Sequence, residues 1–151
     1  MDYALLRSEI ISDPLGFGYS SLSDEEVAAA LALKNRVQTY SRFCSLRAVA
    51  TVLTAEEYGV FKQDIATVSA MSPMAADMVR FLEMPCADDG ATGGLDIGNP
   101  SVRAFIDALP TLSAVAKSKI KSLAERTISR AEEIGIPEPT AHEVHVARNA
   151  E

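Results

Sequence analysis

LSAVAKSKIKSLAERTISRAEEI, residues 112–134, decides how the rest of this sequence reads. Positions 112, 115, 116, 120, 123, 124, 127, 128, 131 and 134 form the i, i+3, i+4, i+7 stripe of a helix laid against a core. Lys117, Lys121, Ser122, Glu125, Ser129 and Glu132 fall on the other face. Thr111 or Ser113 can cap the start; Gly135 and Pro137 stop the run. At about 1.5 Å per residue, such a helix is roughly 35 Å long. It predicts one long C-terminal helix on which shorter helices pack.

Those shorter helices are marked by explicit punctuation. Residues 3–12 place Tyr3, Leu6, Ile10 and Leu5 on one face, and Asp13-Pro14 ends that helix because a proline disfavours helix in the residue before it. LGFGYSSL (15–22) reads as a compact turn, with Phe17 and Tyr19 as buried plugs. Ser23 and Glu26 form a capping box ahead of a helix over 27–36. A polar break at 38–41 precedes a helix over 42–51, with Phe43, Leu46, Val49 and Ala50 inward. Thr54 and Glu57 form a second capping box, and Thr140 and Glu143 a third. Ser72-Pro73 and Asn99-Pro100 are caps followed by proline at the first helical position, where its missing N–H costs nothing. They open helices over 74–84 and 101–109. No alternating strand pattern competes. The expected fold class is all-α: a compact bundle of about six to seven short helices packed on one long C-terminal helix. Residues 1–151 read as a single helical domain, with 85–98 an irregular loop and 137–151 a C-terminal tail carrying a short helix.

Composition narrows the function. The 48% hydrophobic content supports a core in which aromatics are sparse and Trp is absent. A net charge of −7 argues against broad nucleic-acid binding, which uses a basic face. The one local candidate for such contact is Lys117, Lys119, Lys121, Arg126 and Arg130. Cys44 and Cys86 read as reduced, structural thiols. Met1 leads straight into a polar helix, so no signal peptide is expected. No apolar run approaches the roughly 18 residues of a membrane span.

The chemistry-bearing residues form no catalytic constellation. Gly16-x-Gly18 has no preceding strand and no third glycine for a phosphate loop. Asp88, Asp89 and Asp96 lack the spacing and closing glutamate of an EF-hand. His142 and His145 are three apart, but no third metal ligand is marked. Cys44 sits in a helical reading that favours a packed thiol. Glu125, Glu132 and Glu133 read as helix-surface carboxylates, whereas acid–base catalysis needs them in a cleft. No enzymatic activity, cofactor or metal is expected.

Two segments carry a resemblance. ALLRSEIISDPLGFGYSSLSDEEVAAALALKNR (4–36) resembles the opening of small uncharacterised proteins of tailed bacteriophages: a helix, then DPL-G-GY, then a capped helix ending near Asn-Arg. NPSVRAFIDALPTLSAVAKSKIKSLAERTISRAEEIGI (99–136) is similar to the closing pattern of the same family, ending in SRAEE-G. Together they cover about half the chain. The resemblance implies a non-enzymatic virion component, a helical adaptor or accessory protein of the tail, tail fibre or head–neck region, assembled in the host cytoplasm. Its partners would be other virion proteins or copies of itself. Partner contacts are then expected from Leu15, Phe17 and Tyr19 in the 13–22 turn, from Asp88, Asp89, Leu95 and Ile97 in the 85–98 loop, and from His142 and His145 in the tail. The alternatives are an assembly or regulatory protein that leaves the finished particle, or a helical DNA-binding protein using residues 117–130.

Overall fold

Local punctuation sets most of the helix starts. Ser23, Thr54 and Thr140 each accept an N–H from the residue three ahead, whose Glu side chain reaches back, as the capping-box reading requires. Ser72 and Asn99 cap helices that begin at Pro73 and Pro100. The resulting fold, a computed structural model describing residues 1–85 and 93–150, is mostly helical but not all-α. Contacts group the chain into two compact units, where length alone suggested one domain: residues 1–38 with 127–151, and residues 39–126.

Unit one holds α1 (Tyr3–Ser12), a short 3₁₀ turn (Tyr19–Ser21), α2 (Asp24–Ala32), α8 (Arg130–Glu133) and α9 (Ala141–Asn149). Leu6, Ile10, Tyr19, Val27, Leu31, Ala131, Ile136, Val144 and Ala147 bury together as its core. Helix α9 lies against α1 and α2. The expected docking tail is therefore a core element. Tyr3 and Leu5, expected to face inward with Leu6, stay exposed.

Unit two holds α3 (Leu46–Val52), α4 (Ala55–Met71), α5 (Pro73–Glu83), α6 (Pro100–Asp107) and α7 (Ala114–Ser122). Strands β2 (Phe43–Cys44) and β3 (Leu95–Asp96) pair antiparallel, with Cys44 opposite Leu95. Phe43, read as an inward helical residue, is exposed on β2, while Cys44, Val49, Phe61, Ile65, Leu82, Ile106 and Ile120 lie in the core. Asp64 is buried on α4. Its carboxylate accepts the Thr111 and Leu112 N–H groups, both at 2.9 Å, and the Thr111 hydroxyl at 2.5 Å. Three donors satisfy one buried charge and fix the turn before α7, whose cap is Ser113.

Strands β1 (Arg36–Thr39) and β4 (Glu125–Ile128) form the other small sheet. They replace the C-terminal end of the expected 27–36 helix and the middle of the expected 112–134 helix. No single long helix exists there. The stripe breaks at Leu123 and Ala124, whose N–H groups bond three residues back. Arg103 donates to the Lys121 carbonyl and Arg42 to the Leu123 carbonyl, so side chains satisfy the acceptors that a continuing helix would have used. Tyr40 N–H bonds to Ala124 O at 3.0 Å. Thr127 and Ile128, both β-branched, follow in extended conformation. Ser129 and Glu132 then make a fourth capping box, which restarts the chain as α8.

Helix α8 ends on Gly135 at φ +80. There Ile136 N–H reaches Ala131 O, and Gly135 N–H reaches Glu132 O. This paired closure needs a left-handed residue, a conformation that glycine adopts without a Cβ penalty.

Candidate functional site

The 13–22 turn of unit one is a built structure. Helix α1 cannot run through Pro14, and Asp13 takes the left-handed region at φ 38. That bend aims its carboxylate along the turn: Oδ1 accepts the Phe17 N–H at 2.8 Å and Oδ2 the Gly18 N–H at 2.7 Å. Gly16 and Gly18 supply the positive φ values, +68 and +75, that close the loop. Downstream, Arg148 of α9 donates to Tyr19 O at 2.6 Å and to Leu22 O at 2.9 Å, and pairs with Asp24.

The turn therefore has fixed ends and a fixed interior. Leu15 and Phe17 project from it, 39% and 40% exposed, while Tyr19 is fully buried. The Phe17 ring lies 5.6 Å from the Tyr19 ring. Of the two expected plugs, Tyr19 fills that role. Phe17 packs against the Tyr19 ring but stays partly exposed.

Tyr19 is buried beside charged groups. Its hydroxyl has no hydrogen-bond partner among the described residues. Burial, then the carboxylates of Glu9 and Asp13, push the phenol up to about 12. Close by, Arg130 clasps buried Glu9 in two parallel bonds, Nε–Oε1 and Nη2–Oε2, each 2.7 Å. The Glu9 bond, foremost, raises the Arg130 guanidinium. Hydrogen bonds from Arg130 and then Arg36 hold the Glu133 carboxyl below its usual range.

The Tyr19 shift has a testable sign. A phenol raised on folding contributes stability that is fully present below its ordinary value near 10 and lost as pH climbs through about 12. Tyr19→Phe should match or exceed the parent at pH 7, by up to about 1–2 kcal/mol, because it removes an unpartnered buried hydroxyl. The gap should widen above pH 10 by on the order of 2 kcal/mol. Urea midpoints at pH 7 and 11 measure both; a gap that stays constant or narrows would refute the assignment.

Other expected contact residues fare differently. Asp88 and Asp89 lie outside the described residues, as does Cys86. Leu95 and Ile97, expected to touch a partner, are instead buried in the core of unit two, 8% and 1% exposed. Asp96 between them is a clasp: Oδ1 accepts the Arg42 and Gly98 N–H groups and Oδ2 the Ser41 hydroxyl. Its lone pairs serve two backbone N–H groups and one hydroxyl of the protein itself.

His142 and His145 are exposed on α9, and His145 Nδ1 lies 3.1 Å from Asp24 Oδ2. Among the described residues no three His, Cys, Asp or Glu side chains gather as a metal site. Several of the basic residues of 117–130 have partners within their own unit. Lys117 donates to Asp107 O, Lys121 pairs with Asp107, Lys119 with Glu57 and Arg130 with Glu9.

No family model, curated protein or solved structure matches this chain. Its surfaces are therefore read from their own geometry. That geometry adds one feature the sequence reading missed: an apolar groove of about 280 Å³ between α5 and α6 in unit two. Helix α5 carries two apolar stripes. Ala75, Val79 and Leu82 face the core; Met74 and Phe81, 62% and 48% exposed, flank half-buried Met78 on the outside. The signal was present as Met74, Met78 and Phe81 at i, i+4, i+7, offset by one position from the inward stripe.

Proposed function

We propose that this chain is a non-enzymatic structural component of a tailed-bacteriophage particle, an adaptor or accessory protein of the tail, tail fibre or head–neck region that acts through protein–protein contacts. The sequence resemblance over 4–36 and 99–136 motivates the reading. The observation that carries it is the 13–22 turn. Two large apolar side chains, Leu15 and Phe17, are held exposed on a loop whose backbone is fixed by Asp13, two left-handed glycines and Arg148. Fixing apolar groups in position before an encounter lowers the ordering cost of binding, and exposed anchors of this kind suit a permanent neighbour. The pairing of Lys119 with Glu57 and of Lys121 with Asp107 lowers the local positive charge and favours a protein partner over nucleic acid.

The test is occupancy of the particle. Mass spectrometry of purified virions should find this chain in a fixed ratio to the other structural proteins. Leu15→Ser with Phe17→Ser should leave the isolated protein folded, at a cost of no more than about 1–2 kcal/mol because both side chains are partly exposed, and reduce its incorporation at least about tenfold. Absence of the chain from intact particles would overturn the reading in favour of an assembly protein that departs. Full incorporation of the double variant would remove the turn from the contact.

A further inference from the structure

We infer that the groove between the outer face of α1 and Ala150, in unit one, binds one carboxylate carried on an apolar body, with Arg7 as its ion-pair partner. This goes beyond the particle reading and does not depend on it.

An uncompensated charge carries the inference. The groove has a volume of about 460 Å³, which lies within the range of small-molecule sites. Tyr3, Arg7 and Ile11 line it at i, i+4 and i+8, on one face of α1. Tyr3, Ala4, Ser8, Ile11 and Ser12 are exposed along this wall, whereas Arg7 is half-buried. Its Nε is shut off from solvent with no hydrogen-bond partner. Among the described residues no carboxylate or carbonyl meets its guanidinium. A charged donor withdrawn from water without an acceptor is costly, and such groups call for a partner. With Nε covered, the terminal nitrogens are the donors left for a ligand, and two of them can take both oxygens of one carboxylate.

The acidic residues of α1 and its flanks are engaged elsewhere. Asp2 caps α1 by accepting the Leu5 N–H, Glu9 is clasped by Arg130 on the buried side, and Asp13 holds the Phe17 and Gly18 N–H groups. Against α9, Asp24 is taken by His145 and Arg148, and Glu143 closes the capping box at the far end of that helix. Arg7 is thus the ionic group of the groove among the described residues. No second cation supports it, since Arg148, two residues before Ala150, is turned to Asp24 and to the Tyr19 and Leu22 carbonyls. One arginine suits a monoanion, and a chain charge of −7 opposes nucleic acid or an anionic bilayer. Tyr3 and Ser8 bring hydroxyls beside the arginine, while the Ser12 hydroxyl is already given to Ser8 O at 2.6 Å. The Tyr3 ring, Ala4, Ile11 and Ala150 make the remaining wall apolar, the part that takes the body of the ligand.

The probe is phenylbutyrate, titrated into the whole chain while the backbone amide resonances are followed. Saturable shifts are expected at the α1 amides from Ala4 to Ile11. Phenylbutanol, the same body without the charge, and inorganic phosphate, a charge without the body, should bind at least about tenfold more weakly. Arg7→Gln should weaken phenylbutyrate binding at least about tenfold and leave the urea midpoint unchanged or raised, because the guanidinium has no internal partner to lose. Arg7→Lys should retain part of the affinity, keeping the charge without the planar fork. A short peptide with an apolar last residue, compared with its amide, separates the two sources of such a carboxylate. Preference for the free-ended peptide over phenylbutyrate assigns it to the chain end of a partner, and the reverse order to a small acid. Equal binding of acid and alcohol, shifts confined to other elements, absent saturation, or binding that survives Arg7→Gln would each overturn the inference. So would a tenfold gain in affinity on removing Glu151, because a carboxylate of the chain itself would then hold Arg7. Failure of the titration leaves virion occupancy untouched, and absence from virions leaves the titration untouched.

Discussion

Glu9→Ala should destabilise unit one by on the order of 3 kcal/mol, a large share of the stability of a small folded unit. Glu9 is buried, and Arg130, itself mostly buried, meets it through two 2.7 Å bonds. Removing the carboxylate leaves the guanidinium desolvated with Glu133 as its remaining ion-pair partner. A broken buried pair costs more than the intact pair contributes, because the surviving charge keeps its desolvation penalty. Replacing both partners together, as Glu9→Leu with Arg130→Met, should recover most of the loss. The comparison separates pairing from packing. Urea midpoints provide the overall measure, and hydrogen exchange of α1 and α9 amides localises it. A double variant as unstable as Glu9→Ala would show that volume, and not the orphaned charge, was responsible.

The Glu9–Arg130 pair spans 121 positions of sequence, and that distance explains what could be read in advance. Capping boxes at 23, 54 and 140 were legible because donor and acceptor lie within one turn of each other. The burial of Leu112, Ala116, Ile120, Leu123 and Ala131 was also legible; the helix said to join them was not. The first four belong to the core of unit two and Ala131 to that of unit one. Two separate patterns run on in register, and a 3.6-residue period cannot show that the chain changes cores midway. Exposed Val115 and Thr127 were the misfits, and Ser129-x-x-Glu132 inside the run was the overlooked start signal. Leu95 and Ile97 bury on alternate positions around Asp96, a strand period two residues long on each side and hidden by neighbouring glycines. At the turn, Asp13-Pro14 gave the bend, but the burial of Tyr19 depends on a core that joins α1 and α2 to α9, far along the chain.

Gly98→Ala should cost unit two about 3 kcal/mol, the upper end of what an added methyl does in a packed site. A Cβ built on Gly98 would lie 2.1 Å from Tyr40 O, 2.7 Å from Tyr40 C and 3.1 Å from Ser41 Cα. All three are backbone atoms, and the segment that carries them is tied down. Asp96 holds Ser41 and Arg42, Ile97 N–H bonds to Arg42 O at 3.0 Å, and Tyr40 N–H bonds to Ala124 O. Moving 40–42 to admit the methyl breaks those bonds or draws Ile97 and Leu95 out of the core. Gly59, within α4, is the control: a Cβ there meets nothing within 4 Å. Gly59→Ala should stabilise by about 0.5–1 kcal/mol through lower unfolded-state entropy and better helix propensity. One methyl then has opposite signs at two glycines, decided by the room each backbone leaves. Equal urea midpoints for Gly98→Ala and the parent, with the Ile97 amide still protected from exchange, would mean that the 40–42 segment yields freely and that the Asp96 clasp does not hold it.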